Sequence, residues 1–153
     1  MFRSLTGLGA NRANGIPFKG IETYRDDREG RSLGRNTVYY VEMDGVRFCH
    51  LGSLGHALNR KQTEAIGQVD VLFLPVGPKD LAVHELWKIA ENLRAKWIVP
   101  VTYRTQKNPN PELRGLDEME LEKRTVRRLE GSEFTFSAET LPSLPAVLIL
   151  QNP

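Results

Sequence analysis

Apolar and polar positions alternate over 15–24, which reads as a strand, and Pro17 restricts it to a sheet edge or a strand start because proline has no amide hydrogen. Residues 1–14 ahead of it hold glycines and few periodic apolar positions, and read as a loose lead-in. The charged stretch 26–35 contains Gly30 and Gly34 and reads as a loop. Strands are predicted at 37–43 and 46–51, joined by Asp44-Gly45, a pair suited to the left-handed positions of a two-residue hairpin. In the second of these strands Val46, Phe48 and His50 share one face, and Arg47, Cys49 and Leu51 the other.

Further along, Asn59 can cap a short helix at 60–66, which Gly67 ends. The run 69–76 is almost wholly apolar, as a strand covered on both faces would be. A helix is predicted over 82–95, with Ala82, Leu86, Ile89, Ala90 and Leu93 on one stripe and His84, Lys88 and Glu91 opposite. A strand at 97–103 follows, so that strand, helix and strand suggest a right-handed crossover with parallel pairing. A Pro-broken loop occupies 106–116. The segment 118–129, acidic early and basic late, is predicted to be a charged helix, and strands at 134–137 and 146–150 end the chain.

Composition changes this picture little. The 153 residues suit a single domain spanning 1–153, with 40% hydrophobic and 26% charged residues as in ordinary globular proteins. A net charge of +2 is too small to point to nucleic acid or a membrane surface, so neither is expected as a partner. Arg124, Arg127 and Arg128 could meet phosphates, but at the end of a charged helix they would offset the helix dipole. One cysteine excludes an intrachain disulfide, and no apolar run reaches membrane-spanning length; a cytoplasmic location is the expectation.

Within 46–77, the run HLGSLGHAL resembles a segment of the metallo-β-lactamase-fold superfamily of metal-dependent hydrolases. In the lactonase-like branch of that superfamily the segment reads His-Leu-Gly-Asp-Leu-Gly-His, and its aspartate bridges the metals; that position is Ser53 here. The run IVPVTYRT resembles the family's Ile-Pro-Met-His-Tyr-Lys-Thr, with Thr102 at the metal-binding histidine. IETYRDDREG resembles a segment in which His-Asp precedes a Gly-rich turn, with Arg25 at the histidine. The resemblance runs from about Ile16 to Leu150. It implies an α/β fold: part of a metallo-β-lactamase-like αββα sandwich, mixed sheets with flanking helices.

The same resemblance implies a degenerate site. The family signature His-x-His-x-Asp-His does not occur, since the three histidines are His50, His56 and His84. The domain is therefore expected to lack the N-terminal metal-motif region. A hydrolytic zinc or manganese site needs imidazole nitrogens and carboxylates to hold the ion and acidify its water. Arg25 is a permanent cation, and Ser53 and Thr102 are neutral hydroxyls. The expectation is a metal-free, non-catalytic binding or interaction protein with no cofactor. Arg25, Ser53, His56 and Thr102 would form a vestigial pocket suited to a small anionic ligand. The alternative is a metal-dependent hydrolase whose missing ligands come from a partner chain. With too few strands to complete two layers, a homodimer is expected.

The remaining chemistry-bearing residues read more plainly. His50 is expected as a hydrogen-bonded histidine, in the core or just behind the ligand positions, His56 as structural and His84 as solvated. Cys49 and His50 point to opposite faces and cannot form a dyad, leaving Cys49 a buried packing residue. Asp26-Asp27 reads as a solvated turn and not as a metal site. Leu51-Gly52-Ser53-Leu54-Gly55 lacks the lysine and the spacing of a phosphate-binding loop.

Overall fold

The fold, a computed structural model describing residues 8–151, opens with four strands. These are β1 (Gly9–Ala13), β2 (Ile16–Tyr24), β3 (Arg35–Met43) and β4 (Val46–His50), an antiparallel meander. Then come α1 (Arg60–Ile66), β5 (Val71–Pro75), α2 (Val83–Asn92), β6 (Trp97–Val101), β7 (Val126–Arg128) and β8 (Ala146–Ile149). All eight strands form one mixed sheet in the order β1-β2-β3-β4-β5-β6-β8-β7. From β4 onward the neighbours are parallel, and β5, α2 and β6 form the expected crossover.

Both hairpins rest on left-handed residue pairs. Asp44 and Gly45 (φ 51° and 76°) join β3 to β4, and Asn14 and Gly15 (φ 49° and 79°) join β1 to β2. The second pair corrects the reading of 1–14 as a lead-in; its first seven residues lie outside the described ones. Pro17 is the second residue of β2, at a strand start, as its missing donor requires.

The sheet is apolar on both sides. One face carries Cys49, Leu51, Leu72, Leu74 and Ile98, covered by α1 and α2 through Ile66, Leu86, Ile89, Ala90 and Leu93. The opposite face carries Val46, Val71, Trp97, Val99 and Leu148, covered by Phe134, Phe136 and Leu141. Trp97 stacks edge-to-face with Phe134 at 5.6 Å. Toward β2 and β3 this second face is thinner: Phe18, Tyr39 and Val41 are half-buried, and Ile16 and Met43 are exposed. Asn59 caps α1 by accepting from the Gln62 amide, with Gln62 reciprocating.

Two predicted elements are different. The segment 118–129 is no helix: it forms two single 3-10 turns, Leu116–Glu118 and Leu121–Lys123, and then β7. Glu120 at φ 54° breaks the helical path, and the β-branched pair Thr125-Val126 enters the sheet. The helix-dipole reading of Arg124, Arg127 and Arg128 falls with it; Arg124 instead covers the Trp87 ring at 4.3 Å, and Arg127 the Phe134 ring at 5.2 Å. Residues 134–137 form no strand, and Phe134 and Phe136 pack against the sheet face. Among the described residues, no helix is long and apolar enough to cross a membrane.

Candidate functional site

Parallel strands direct their carboxyl ends to one edge of a sheet, where the connecting loops leave room for a ligand. Here β4, β5 and β6 end together, and β2, antiparallel across β3, ends at the same edge. Arg25 follows β2, Ser53 and His56 follow β4, and Thr102 follows β6. The β6 end lies two strands from the β4 end, on the order of 10 Å.

Close backbone approaches build this edge. The Gly55 amide donates to the Tyr24 carbonyl at 3.0 Å, and a Cβ on Gly55 would lie 2.0 Å from the Arg25 carbonyl oxygen. Only glycine allows the loop after β4 to press on the end of β2. A Cβ on Gly77, at the end of β5, would lie 1.7 Å from the Thr102 carbonyl oxygen. Thr102 has φ 55°, an outlier for a β-branched residue. Arg25, Ser53 and His56 are thus gathered at one corner, and Thr102 stands along the same edge.

The polar contacts show what each group has left to offer. His56 Nε2 accepts the Tyr24 amide at 3.0 Å, and Nδ1 lies 2.8 Å from the Ala57 carbonyl, so Nδ1 holds the proton. Both ring nitrogens are occupied. His50 is exposed, a correction to the core placement; its Nδ1 accepts the Gly52 amide at 2.9 Å and its ring stacks on Phe73. Partial burial lowers the His50 pKa below the usual 6.5. His84 is exposed on α2. Cys49 is fully buried, which pushes its thiol up to about 12, out of nucleophilic range. Ser53 and Thr102 are exposed, and the Arg25 guanidinium forms no ion pair among the described residues.

Two supporting residues carried no signal that the sequence pattern could show. Asn36, at the start of β3, donates to Thr23 Oγ1 and to the Leu51 carbonyl, both at 2.8 Å, and accepts the Ser53 amide at 2.9 Å. It therefore ties the β2 and β4 exits together and sets Ser53. Arg114 is buried, and its guanidinium donates to the Val76 and Leu81 carbonyls, both at 2.8 Å.

Asp26 corrects the picture of a solvated aspartate pair. Its buried carboxylate accepts from the amides of Arg28, Gly30, Ser32 and Leu33 and so organises loop 26–34, while Asp27 is exposed. The Leu33 amide foremost, and the other three against the opposing effect of burial, hold its pKa down at about 2. A depressed folded-state pKa gives stability that is present above the unfolded value and lost as pH falls through the folded one. Stability should therefore drop between pH 3.8 and about 2, and Asp26→Asn, less stable at neutral pH, should remove this component of the drop. Urea midpoints across that range test it, and an unchanged acid limb in the variant would exclude the assignment.

Among the described residues, no group of three or more His, Cys, Asp or Glu is placed to hold a metal ion.

Comparison with known proteins adds the following. The family model for a beta-lactamase superfamily domain matches residues 1–102. A metal-dependent hydrolase from Thermococcus onnurineus is 27% identical over 105 residues, which are 63% of this chain and 45% of that protein. The chain thus spans less than half the length of that relative. A crystal structure from Thermotoga maritima, a proposed Zn-dependent hydrolase of the metallo-β-lactamase superfamily, superposes with TM-score 0.80 at 32% identity over 98% of this chain and 72% of that one. A metallo hydrolase from Ignicoccus hospitalis shares the fold alone, with TM-score 0.52 and 21% identity over 72% of this chain and 47% of that one.

Proposed function

Because the chain belongs to the beta-lactamase superfamily, we propose that it is a divergent metallo-β-lactamase-fold protein that binds or interacts without hydrolysing. The observation that carries this reading is the donor chemistry at the sheet edge. The resemblance puts Arg25, Ser53 and Thr102 at ligand positions, and none of them supplies an imidazole or a carboxylate. His56, the neighbouring imidazole, spends both nitrogens on main-chain groups. These residues do not fit a hydrolytic zinc or manganese site.

The corner keeps a use of another kind. An unpaired guanidinium at Arg25, at the same corner as the Ser53 hydroxyl and on the same edge as Thr102, favours a small anion over a cation. The apolar strip Ile16, Phe18, Tyr39, Val41 and Met43, all on one sheet face, suits a two-fold homodimer. A single buried thiol suits the reducing cytoplasm. The second reading, a metal-dependent hydrolase completed by ligands from a partner chain, is favoured by the hydrolase descriptions of the similar proteins.

One experiment separates the two. Native mass spectrometry of protein purified without chelator or metal resin should show twice the 17.3 kDa chain mass with no stoichiometric metal. Retained zinc, manganese or iron together with metal-dependent lactone or phosphodiester hydrolysis would establish the second reading. A monomer would remove the dimer. Phosphate that leaves the Arg25 and Ser53 amide resonances unmoved would remove the anion.

A further inference from the structure

At the opposite end of the sheet from that corner, a groove of ≈ 550 Å³ opens beside the end of α2. It lies before β6, whereas Thr102 lies after it, so the two places are about 17 Å of strand apart. Its volume is within the range of small-molecule sites. Ala90, Ala95, Ile98 and Leu144 give it an apolar lining, with Trp87 and Pro145. Trp87 is fixed there: its indole donates to the Met119 carbonyl at 3.1 Å, and Arg124 covers its ring. Leu144, 74% exposed, has little of its surface packed against the rest of the chain.

The rim is cationic, with Arg94, Lys96, Lys123 and Arg124. Two of these charges are answered within the protein, Arg124 by Glu91 at 3.3 Å and Lys123 by Glu120. Two form no ion pair among the described residues: Arg94, and Lys96, which donates to the Ser143 carbonyl at 3.4 Å and whose charge acts on Asp70 only from beyond ion-pair distance, Asp70 being paired with Arg47. The negative end of the α2 dipole does not call for cations here, because its last carbonyls are already capped. Ala95 donates back to Ala90 and Arg94 to Glu91, the two bonds of a Schellman turn. Arg94 is the left-handed residue of that turn, at φ 54°, where glycine is the favoured residue. A long cationic side chain stands in a position whose backbone prefers none.

We propose that this groove binds a small amphiphilic carboxylate, its apolar body lying along Ala90, Ala95, Ile98 and Leu144 and its head group held by Arg94 and Lys96. A planar carboxylate matches the guanidinium fork of Arg94. The exposed Leu144 supplies the apolar contact that a simple inorganic anion would not use. The inference does not depend on the reading of the Arg25 corner.

The test is titration of the full chain with octanoate below its micellar range, followed by amide resonances and calorimetry, with octylammonium as the charge-reversed probe. One saturable site is expected, with Kd on the order of 0.1–1 mM for a ligand of this size, and shifts clustered at residues 90–98 and 143–146. Arg94→Gly should weaken binding about tenfold while raising Tm by about 2–4 °C as the left-handed strain is released. Leu144→Asp, at an exposed position, should weaken it as well, and Lys61→Ala on α1 should leave it unchanged. Octylammonium binding as well as octanoate, no saturable binding at 10-fold the expected range, unchanged affinity in Arg94→Gly, or shifts confined to Arg25, Ser53 and Thr102 would each overturn the proposal.

Discussion

Gly77→Ala is expected to destabilise the protein by about 4 kcal/mol or more, placing it among the rare large single-substitution losses. The added methyl carbon would sit 1.7 Å from the Thr102 carbonyl oxygen, 2.8 Å from its carbonyl carbon and 3.0 Å from Tyr103 Cα. All three atoms are main chain, so no rotamer change relieves the clash. Neither backbone is at liberty to retreat. The Val76 amide donates to the Val101 carbonyl at 3.1 Å, and the Arg114 amide to the Gly77 carbonyl at 2.7 Å. Thr102 itself is already held at φ 55°. A loss of this size lowers Tm by roughly 8–16 °C in a domain of this length. Gly131→Ala is the control: its added carbon meets nothing within 4 Å, and Tm should stay within about 2 °C. A Gly77→Ala protein as stable as wild type would mean that the β5 and β6 exits do not approach as described.

The strain and the clash concern the same place, and that place is the edge where the sequence resemblance puts the family's metal-ligand positions. Gly55 against Arg25 repeats the arrangement at the β4 and β2 exits, with a Cβ only 2.0 Å from a carbonyl oxygen. Both contacts are backbone on backbone and independent of what the side chains at 25, 53 and 102 can coordinate. This separation explains how the edge keeps its shape when its donors are Arg25, Ser53 and Thr102. The fold depends on Gly55, Gly77, Asn36 and Arg114, and the chemistry on a different set of residues.

How much of this could be read beforehand follows the same division. β2, β3 and β4 were legible because their burial is local and periodic, with Val46 and Phe48 facing one layer and Cys49 and Leu51 the other, and β5 because it is apolar on both faces. β1 was not, since Gly9–Ala13 has no apolar alternation and is held by its ladder to β2. The Asn14-Gly15 pair was the available signal. The segment 118–129 misled because a gradient from acid to base imitates a helix, whereas Met119 and Leu121 are two residues apart and not three or four. Phe134 and Phe136 alternate as a strand would, yet they cover the sheet without joining it. Arg25, Ser53 and Thr102 became candidates only through the family resemblance. Asn36 and Arg114 could not be found at all, because apart from Thr23 Oγ1 their partners are main-chain groups, distant in sequence for Arg114, and pattern cannot show a carbonyl.

Arg114→Ala is expected to cost about 3 kcal/mol, although the residue comes from a loop of prolines and charges. Arg114 is 7% exposed, and no carboxylate forms an ion pair with its guanidinium among the described residues. A buried charge on which a carboxylate, Glu118, acts only from beyond ion-pair distance must be compensated chiefly by dipoles, and here these are carbonyls: Val76 and Leu81 at 2.8 Å, and Pro78 at 3.4 Å. Two of those bonds are buried, and bonds to a charged donor are worth about 1.5–3 kcal/mol each. Removing the side chain also leaves the Val76 and Leu81 oxygens without a donor. Arg114→Lys should recover little, because an ammonium cannot span carbonyls that the planar fork reaches together. Arg114→Met keeps the volume and loses the bonds, so its loss should approach that of alanine if hydrogen bonding dominates over packing. The local consequence distinguishes this role from a general contribution to the core. Arg114 clamps 76–81, the loop that sets Gly77 against Thr102, so amide exchange in Arg114→Ala should quicken at Gly77, Thr102 and Tyr103 before it does in β2 and β3. Urea unfolding gives the total and hydrogen exchange its distribution. A loss under 1 kcal/mol, or exchange that quickens evenly over the sheet, would show that the loop after β5 holds its place without this clamp.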